Sequence, residues 1–222
     1  MRNMTRTGMI ALTAAAIGAA GPALAADNRD MLDATVLVQE AAEAVAAMKT
    51  NPEAAALLQQ AKGVYVVPDY AEGGIVVGGA GGNGVMSAKQ NGVWTSPTFY
   101  DIASVTAGAQ VGFTAGPVVM LLMTDQAIND FKSGGEFSLS ASAGYTMVDA
   151  SAGGQVSTDG SDVVIWSDTQ GIYAGLTAGA SDISWDEEAN DGYYGVNVEA
   201  SQVIDGMVTK PEPDPLGQVL SK

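Results

Sequence analysis

Twenty-eight glycines run through this chain, and most interrupt segments that otherwise have the composition of β-strand. Gly73, Gly74, Gly78, Gly79, Gly108, Gly112, Gly116, Gly144, Gly153, Gly154, Gly175 and Gly179 all do so. Glycine weakens a strand interior and usually marks a bulge, a sharp bend or a close approach of two backbones. Spread over many strands, it predicts a strongly coiled, sandwich- or barrel-like sheet whose layers meet on small residues. The densest run, GGIVVGGAGGNG at 73–84, also has the spacing G-x-G-x-x-G at Gly79, Gly81 and Gly84. A dinucleotide site needs a helix to open directly after the last glycine, because the helix N-terminus holds the pyrophosphate. Here VMSAKQNGVW follows, a strand with a hairpin signal at Asn91-Gly92. The run therefore reads as sheet.

Two helices precede the sheet. Over Asp30–Lys49, Met31, Ala34, Val38, Ala41, Val45 and Met48 recur at steps of three and four, with Asp30, Asp33, Glu40 and Glu43 opposite. Asn51-Pro52-Glu53 then supplies a cap, a first-turn proline and a first-turn acid for a second helix ending near Lys62-Gly63. From Val64 the texture becomes β. VYVVP is a short strand closed by Pro68, with strands expected over Gly74–Gly79, Gly84–Lys89 and Gly92–Thr95. PVVMLLM (Pro117–Met123) has no polar residue and fits a central strand buried on both faces. Thr124 caps a helix to about Lys132 that Gly134-Gly135 ends. Further strands are expected over Glu136–Tyr145, Met147–Val156, Val163–Ser167 and Ile172–Ala180. Ser184-x-x-Glu187 has the spacing of a capping box opening a helix over Asp186–Tyr194, and a brief helix is expected over Ala200–Asp205. KPEPDP (Lys210–Pro215) cannot hold regular structure, so residues 209–222 read as a flexible tail. The fold class is α+β: one domain over 27–208, with a dominant antiparallel sheet, two leading helices and short helices between strands.

Residues 1–26 have the build of an export signal. Arg2 and Arg6 precede an apolar stretch, Gly21-Pro22 breaks it, and Ala23-Leu24-Ala25 fits cleavage after Ala25. A retained anchor is the competing reading, although the Ala/Gly content and Pro22 make a poor spanning helix. Cleavage would place the protein in a periplasm or outside the cell. Losing Arg2 and Arg6 would leave seven basic residues of the original nine against 25 acids, a net charge of about −18. That excludes nucleic acid as a partner, since basic residues must neutralise phosphates, and it opposes electrostatic adsorption to an anionic membrane.

With no histidine and no cysteine, the chain excludes cysteine nucleophiles, Ser-His-Asp triads and imidazole-ligated metals. No Ser-x-x-Lys spacing is present. The acids offer pairs for a glycosidase, but their spacing selects none. Asp186, Glu187, Glu188 and Asp191 suit either calcium or a capped helix start. No D-x-D-x-D-G order accompanies them, and the helix start is preferred. No catalytic residue, metal site or cofactor is expected. The apolar residues Met31, Val38, Val45 and Met48, with the Tyr193-Tyr194 pair, are the candidates for lipid contact. Their sidedness suits core packing equally well.

Five segments occur in a distinctive order: AKGVYVVP (Ala61–Pro68), the GG-x-x-V-G-G run, W-x-x-P-x-F-Y (Trp94–Tyr100), VVMLLMTDQAINDF (Val118–Phe131) and DEEANDGYYG (Asp186–Gly195). Together they resemble the SYLF domain family, in its small exported bacterial form, over about residues 30–206. The resemblance implies lipid association. Eukaryotic members bind phosphoinositides and some bind actin, with a basic amphipathic N-terminal segment credited with membrane contact. This chain departs from that pattern: only Arg29 and Lys49 flank the first helix, and acids fill its polar face. The expectation is thus a non-enzymatic exported protein that binds a phospholipid or another envelope lipid through an apolar surface. A domain acting only through protein partners and a carboxylate-dependent glycan hydrolase are the alternatives.

Overall fold

The computed structural model describes residues 23–74, 77–107, 112–138, 147–149, 161–169, 180–210 and 214–222. Helix α1 (Ala23–Met48) leads through a three-residue turn into α2 (Pro52–Gln60), whose first amides are capped as expected: Asn51 Oδ1 accepts from the Glu53 and Ala54 N–H groups. Among the described residues nine strands follow: β1 (Gly63–Gly74), β2 (Val77–Gln90), β3 (Val93–Trp94), β4 (Thr98–Ala107), β5 (Gly112–Leu122), β6 (Phe137–Ser138), β7 (Met147–Asp149), β8 (Val163–Trp166) and β9 (Ala180–Trp185). Helix α3 (Asp125–Lys132) lies between β5 and β6, while α4 (Glu187–Tyr194), α5 (Ala200–Ile204) and α6 (Pro215–Leu220) complete the chain.

Eight strands form one curled sheet in the order β6-β9-β4-β2-β1-β5-β8-β7, and β3 pairs with β2. All pairs are antiparallel except β7–β8. The α+β class and the dominant antiparallel sheet are as the sequence implied. The glycine run is the end of β1 and the start of β2, with Gly73 opposite Gly79 and Gly74 opposite Gly78; no helix follows. At Asn91-Gly92 both residues take left-handed backbone (φ 52° and 84°), the geometry that a two-residue hairpin with right-handed strand twist requires.

Both faces of the middle of the sheet are covered. On one face, Val64, Val66, Val85, Phe99, Val119 and Leu121 pack against Val38, Val45 and Met48 of α1, Leu57 and Leu58 of α2, Tyr193 of α4, and Leu216 and Leu220 of α6. On the other, Tyr65, Tyr100, Met120 and Ile183 meet Ile128 and Phe131 of α3 and Ile204 of α5. Two-sided burial explains why β1 and β5 read as unbroken apolar runs.

Several boundaries differ from the sequence reading, each for a local reason. Pro68 does not close β1. The ladder slips register between Val66 and Ala71, so the proline, which has no N–H to donate, sits in a bulge and the strand runs on to Gly74. Ser184 is inside β9 and caps nothing; Asp186 is the cap, its Oδ1 accepting from the Ala189 N–H. The chain after 209 is not a loose end throughout. Pro215 starts α6, Leu216 and Leu220 are buried, and Lys49 Nζ donates to the Val219 carbonyl at 2.8 Å. The leucine spacing was too short to register as a periodic signal. α1 begins at Ala23, directly after Pro22, and so spans the expected cleavage point. The strands expected over 139–146, 150–156 and 172–179 lie outside the described residues.

Asn190, fully buried, ties α4 to the sheet. It accepts from the Phe99 N–H (3.2 Å) and donates to the carbonyls of Phe99 (2.9 Å) and Asp186 (2.6 Å). Two glycines are there for space. Gly192 lets α4 approach the α1 backbone, where a Cβ would lie 2.7 Å from Asp30 Cβ. Gly84 lies under the Tyr65 ring, where a Cβ would be 2.5 Å from Cζ and 2.6 Å from the hydroxyl oxygen. That hydroxyl donates to the Tyr100 carbonyl at 3.0 Å, which fixes the ring in place.

Gly84→Ala is therefore expected to destabilise the protein by about 1–3 kcal/mol in urea denaturation, the usual cost of overpacking. Gly79→Ala, where a Cβ meets nothing within 4 Å, is expected to change stability little. Equal midpoints for the two variants would contradict this account of Gly84.

Candidate functional site

The six residues selected from the sequence separate sharply in the structure. Val38 is 1% exposed, Val45 and Met48 are fully buried, and Tyr193 is buried, its ring 5.0 Å from that of Phe99. These four are spent on the core: the apolar stripe of α1 faces the sheet because acids occupy its other side. Lys210 Nζ sits 3.7 Å from the centre of the Tyr193 ring. Tyr194 is partly buried and donates to the Pro97 carbonyl at 2.7 Å; burial, with the Tyr193 and Asp214 charges, pushes its phenol far up. Met31 alone keeps substantial exposure, at 37%. In this conformation the six do not form one surface.

Apolar exposure lies elsewhere. Leu32 and Val36 project from α1 to solvent, one turn apart. A second patch lies on the sheet beyond the reach of α1. Directly paired residues share a face, so the pairings Phe113–Gly73, Gly73–Gly79 and Gly79–Val105 form one row across β5, β1, β2 and β4. Phe113 is 75% exposed and Val105 65%. Between them two glycines present bare backbone. With strands about 4.8 Å apart, the two side chains stand roughly 14 Å from each other. The neighbouring row, Ala115–Ala71–Gly81–Ala103, is also small and uncharged on these four strands and meets Asp182 on β9. Sequence reading missed Phe113. Its signal was a lone aromatic in a Gly/Ala-rich strand, opposite in parity to Val118, Met120 and Leu122 of the same strand.

Between α1, the β1–β2 pair and α4 lies a cleft of about 460 Å³, lined by Asp30, Asp33, Glu40, Asp69, Asp186 and Glu188 together with Asn83. Asn83 donates to Asp101 Oδ1 at 2.6 Å. Burial pushes the Asp101 carboxyl up, the Asp186 charge adds to this, and the Asn83 hydrogen bond partly offsets it. Glu40 is raised by desolvation and by the charges of Asp69 and Glu43. The acids do share a concavity, as the hydrolase reading demands. The fold nevertheless gives Asp186 a capping role and Asp191 a structural one, since Asp191 accepts from Asn197 Nδ2 and the Val198 N–H. Among the described residues no group of three acidic side chains could hold a metal ion, and no helix is long and apolar enough to cross a membrane.

The raised Asp101 carboxyl has a defined consequence for stability. Its protonated form favours the fold, a contribution complete below the ordinary carboxylate range and lost as pH rises through the higher folded value. Asp101→Asn is expected to lose less stability than the parent chain as pH rises above the ordinary carboxylate range, measured by denaturation midpoints. Parallel pH profiles would refute the effect.

Comparison with known proteins places this architecture. Residues 103–222 match the family Ysc84, described as "Las17-binding protein actin regulator". Protein YSC84 of Saccharomyces cerevisiae is 31% identical over 170 residues, covering 74% of this chain and 36% of its own length. LAS seventeen-binding protein 3 from the same species is also 31% identical over 170 residues, covering 74% and 37%. SH3 domain-containing YSC84-like protein 1 of Bos taurus is 26% identical over 159 residues, covering 70% and 46%. The chain thus spans less than half the length of these relatives, one of which is named as a binding protein. Matching both the family model and the yeast proteins over most of its length, the chain belongs to the Ysc84, or SYLF, family.

Proposed function

We propose that this chain is an exported, non-enzymatic binding protein of the cell envelope, periplasmic or secreted, that attaches to a lipid surface by its bare sheet face. The observation that carries this reading is the uncharged row bounded by Phe113 and Val105. An exposed phenylalanine beside a glycine floor can enter a lipid interface without dragging charge with it. Leu32 and Val36 are poorer anchors because Asp33, Glu40 and Glu43 stand on the same helix. The leader-like first 26 residues and the family's naming as binding proteins support the reading. A protein partner is the second reading, favoured by the relatives' names, which refer to binding Las17.

Flotation with neutral and anionic vesicles tests the first reading. Phe113→Ser is expected to weaken vesicle binding about tenfold or more, given roughly 1.5–3 kcal/mol for burying such a ring. Lowering the salt is expected not to strengthen binding, because a chain with net charge −16 offers anionic lipid no attraction. Absence of flotation on every composition would end the lipid reading and leave crosslinking to protein partners as the next experiment.

A further inference from the structure

The inner face of β1 carries a carboxylate that the rest of the fold leaves unmatched. Glu72 is 7% exposed, and its Oε1 is shut off from solvent with no hydrogen-bond partner. Among the described residues, Lys62 pairs with Asp125 and Lys132 with Asp205; neither reaches Glu72. Burying a carboxylate oxygen without a hydrogen-bond partner is unfavourable, so its retention needs a reason.

Among the described residues, those that follow Glu72 across the ladder are neutral. One residue row runs Thr114–Glu72–Ala80–Ser104–Ser181 across β5, β1, β2, β4 and β9. The Ser104 and Ser181 hydroxyls lie 2.6 Å apart. Two residues along β1, Tyr70 is fully buried, and the group set beside its hydroxyl is that of Ser104, short of a well-formed hydrogen bond. Burial raises that phenol, the neighbouring Ser104 hydroxyl offsets this, and the Glu72 charge raises it further, so the two unmatched groups sense each other. On the other side of Glu72 the next row is Gly112–Gly74–Gly78. Three successive strands thus supply no side chain to cover the carboxylate.

A single carboxylate among neutral hydroxyls is a poor cage for a divalent metal, which draws on several charged oxygens. It does match a compact cation with several N–H donors, each of which needs an acceptor. We propose that this buried cluster binds a primary ammonium group, with Glu72 as the counter-charge and Tyr70 and the Ser104–Ser181 pair as neutral acceptors. The amine comes either from a free small molecule or from a lipid headgroup. The site does not depend on the Phe113 surface.

Calorimetric titration and thermal melts of the full chain with methylammonium chloride, against matched tetramethylammonium chloride, separate N–H recognition from charge. Methylammonium is expected to bind and raise Tm, and tetramethylammonium is not. Glu72→Gln is expected to weaken methylammonium binding at least tenfold, because the counter-charge is gone. Tyr70→Phe keeps the carboxylate and is expected to weaken binding more mildly. Equal responses to the two cations, or unchanged binding by Glu72→Gln, would overturn the site. Vesicles of phosphatidylcholine with and without phosphatidylethanolamine then identify the source. A Glu72-dependent gain with phosphatidylethanolamine points to the headgroup, and Glu72-dependent binding of ethanolamine alone points to a free amine; either supports the site. Phe113→Ser is expected to leave methylammonium binding intact, so the two proposals fail separately.

Discussion

The fold depends on Val64–Val67 of β1 and Val118–Leu122 of β5 being buried on both faces. A strand with no face toward water must place every backbone N–H and C=O in a ladder, so it needs a paired strand on each side. β1 obtains these from β2 and β5, and β5 from β1 and β8. Each face in turn needs a cover of apolar side chains, which α1, α2, α4 and α6 supply on one side and α3 and α5 on the other. Helices that read as separate pieces along the chain are therefore two halves of one requirement. The aromatic stack of Tyr65, Tyr100 and Phe131 illustrates how tightly the second cover is keyed. Phe131 lies 5.1 Å from one ring and 4.9 Å from the other, and its carbonyl accepts from the Tyr100 hydroxyl.

Charge is sorted with equal strictness. Acids ring the cleft beside α1, where solvent and an Asn83 hydrogen bond moderate their repulsion. The glycine-floored end of the sheet carries almost none on its outer face and one, Glu72, on its inner face. The two faces of the same glycine-rich hairpin thus offer different chemistry: one is apolar and open, the other anionic and enclosed. Alternation along β1 and β2 produces this directly, because neighbouring residues point to opposite sides.

Much of the architecture was legible in the sequence because it rests on local chemistry. Asn51, Thr124 and Asn91-Gly92 announced a helix start, a second helix start and a hairpin, and PVVMLLM announced a strand buried on both sides. What escaped was set by long-range packing. Pro68 reads as a stop unless the register slip on both neighbouring strands is known. Ser184 and Asp186 are both plausible caps, and only the length of the ladder to β4 decides between them. The stripe of α1 was visible as a stripe, but periodicity cannot say whether an apolar face meets a sheet or a membrane. Phe113 was invisible as a surface residue because its strand continues into one of the most buried segments of the chain.

α6 rests on α1, joined by the Lys49 bond to Val219 and by Leu216 and Leu220 in the shared core. Residues 170 positions apart therefore form a single latch over the sheet. Any excursion that lifts the leading helix must also free the trailing one, so backbone amides at both extremities would trade hydrogen for deuterium in a common event.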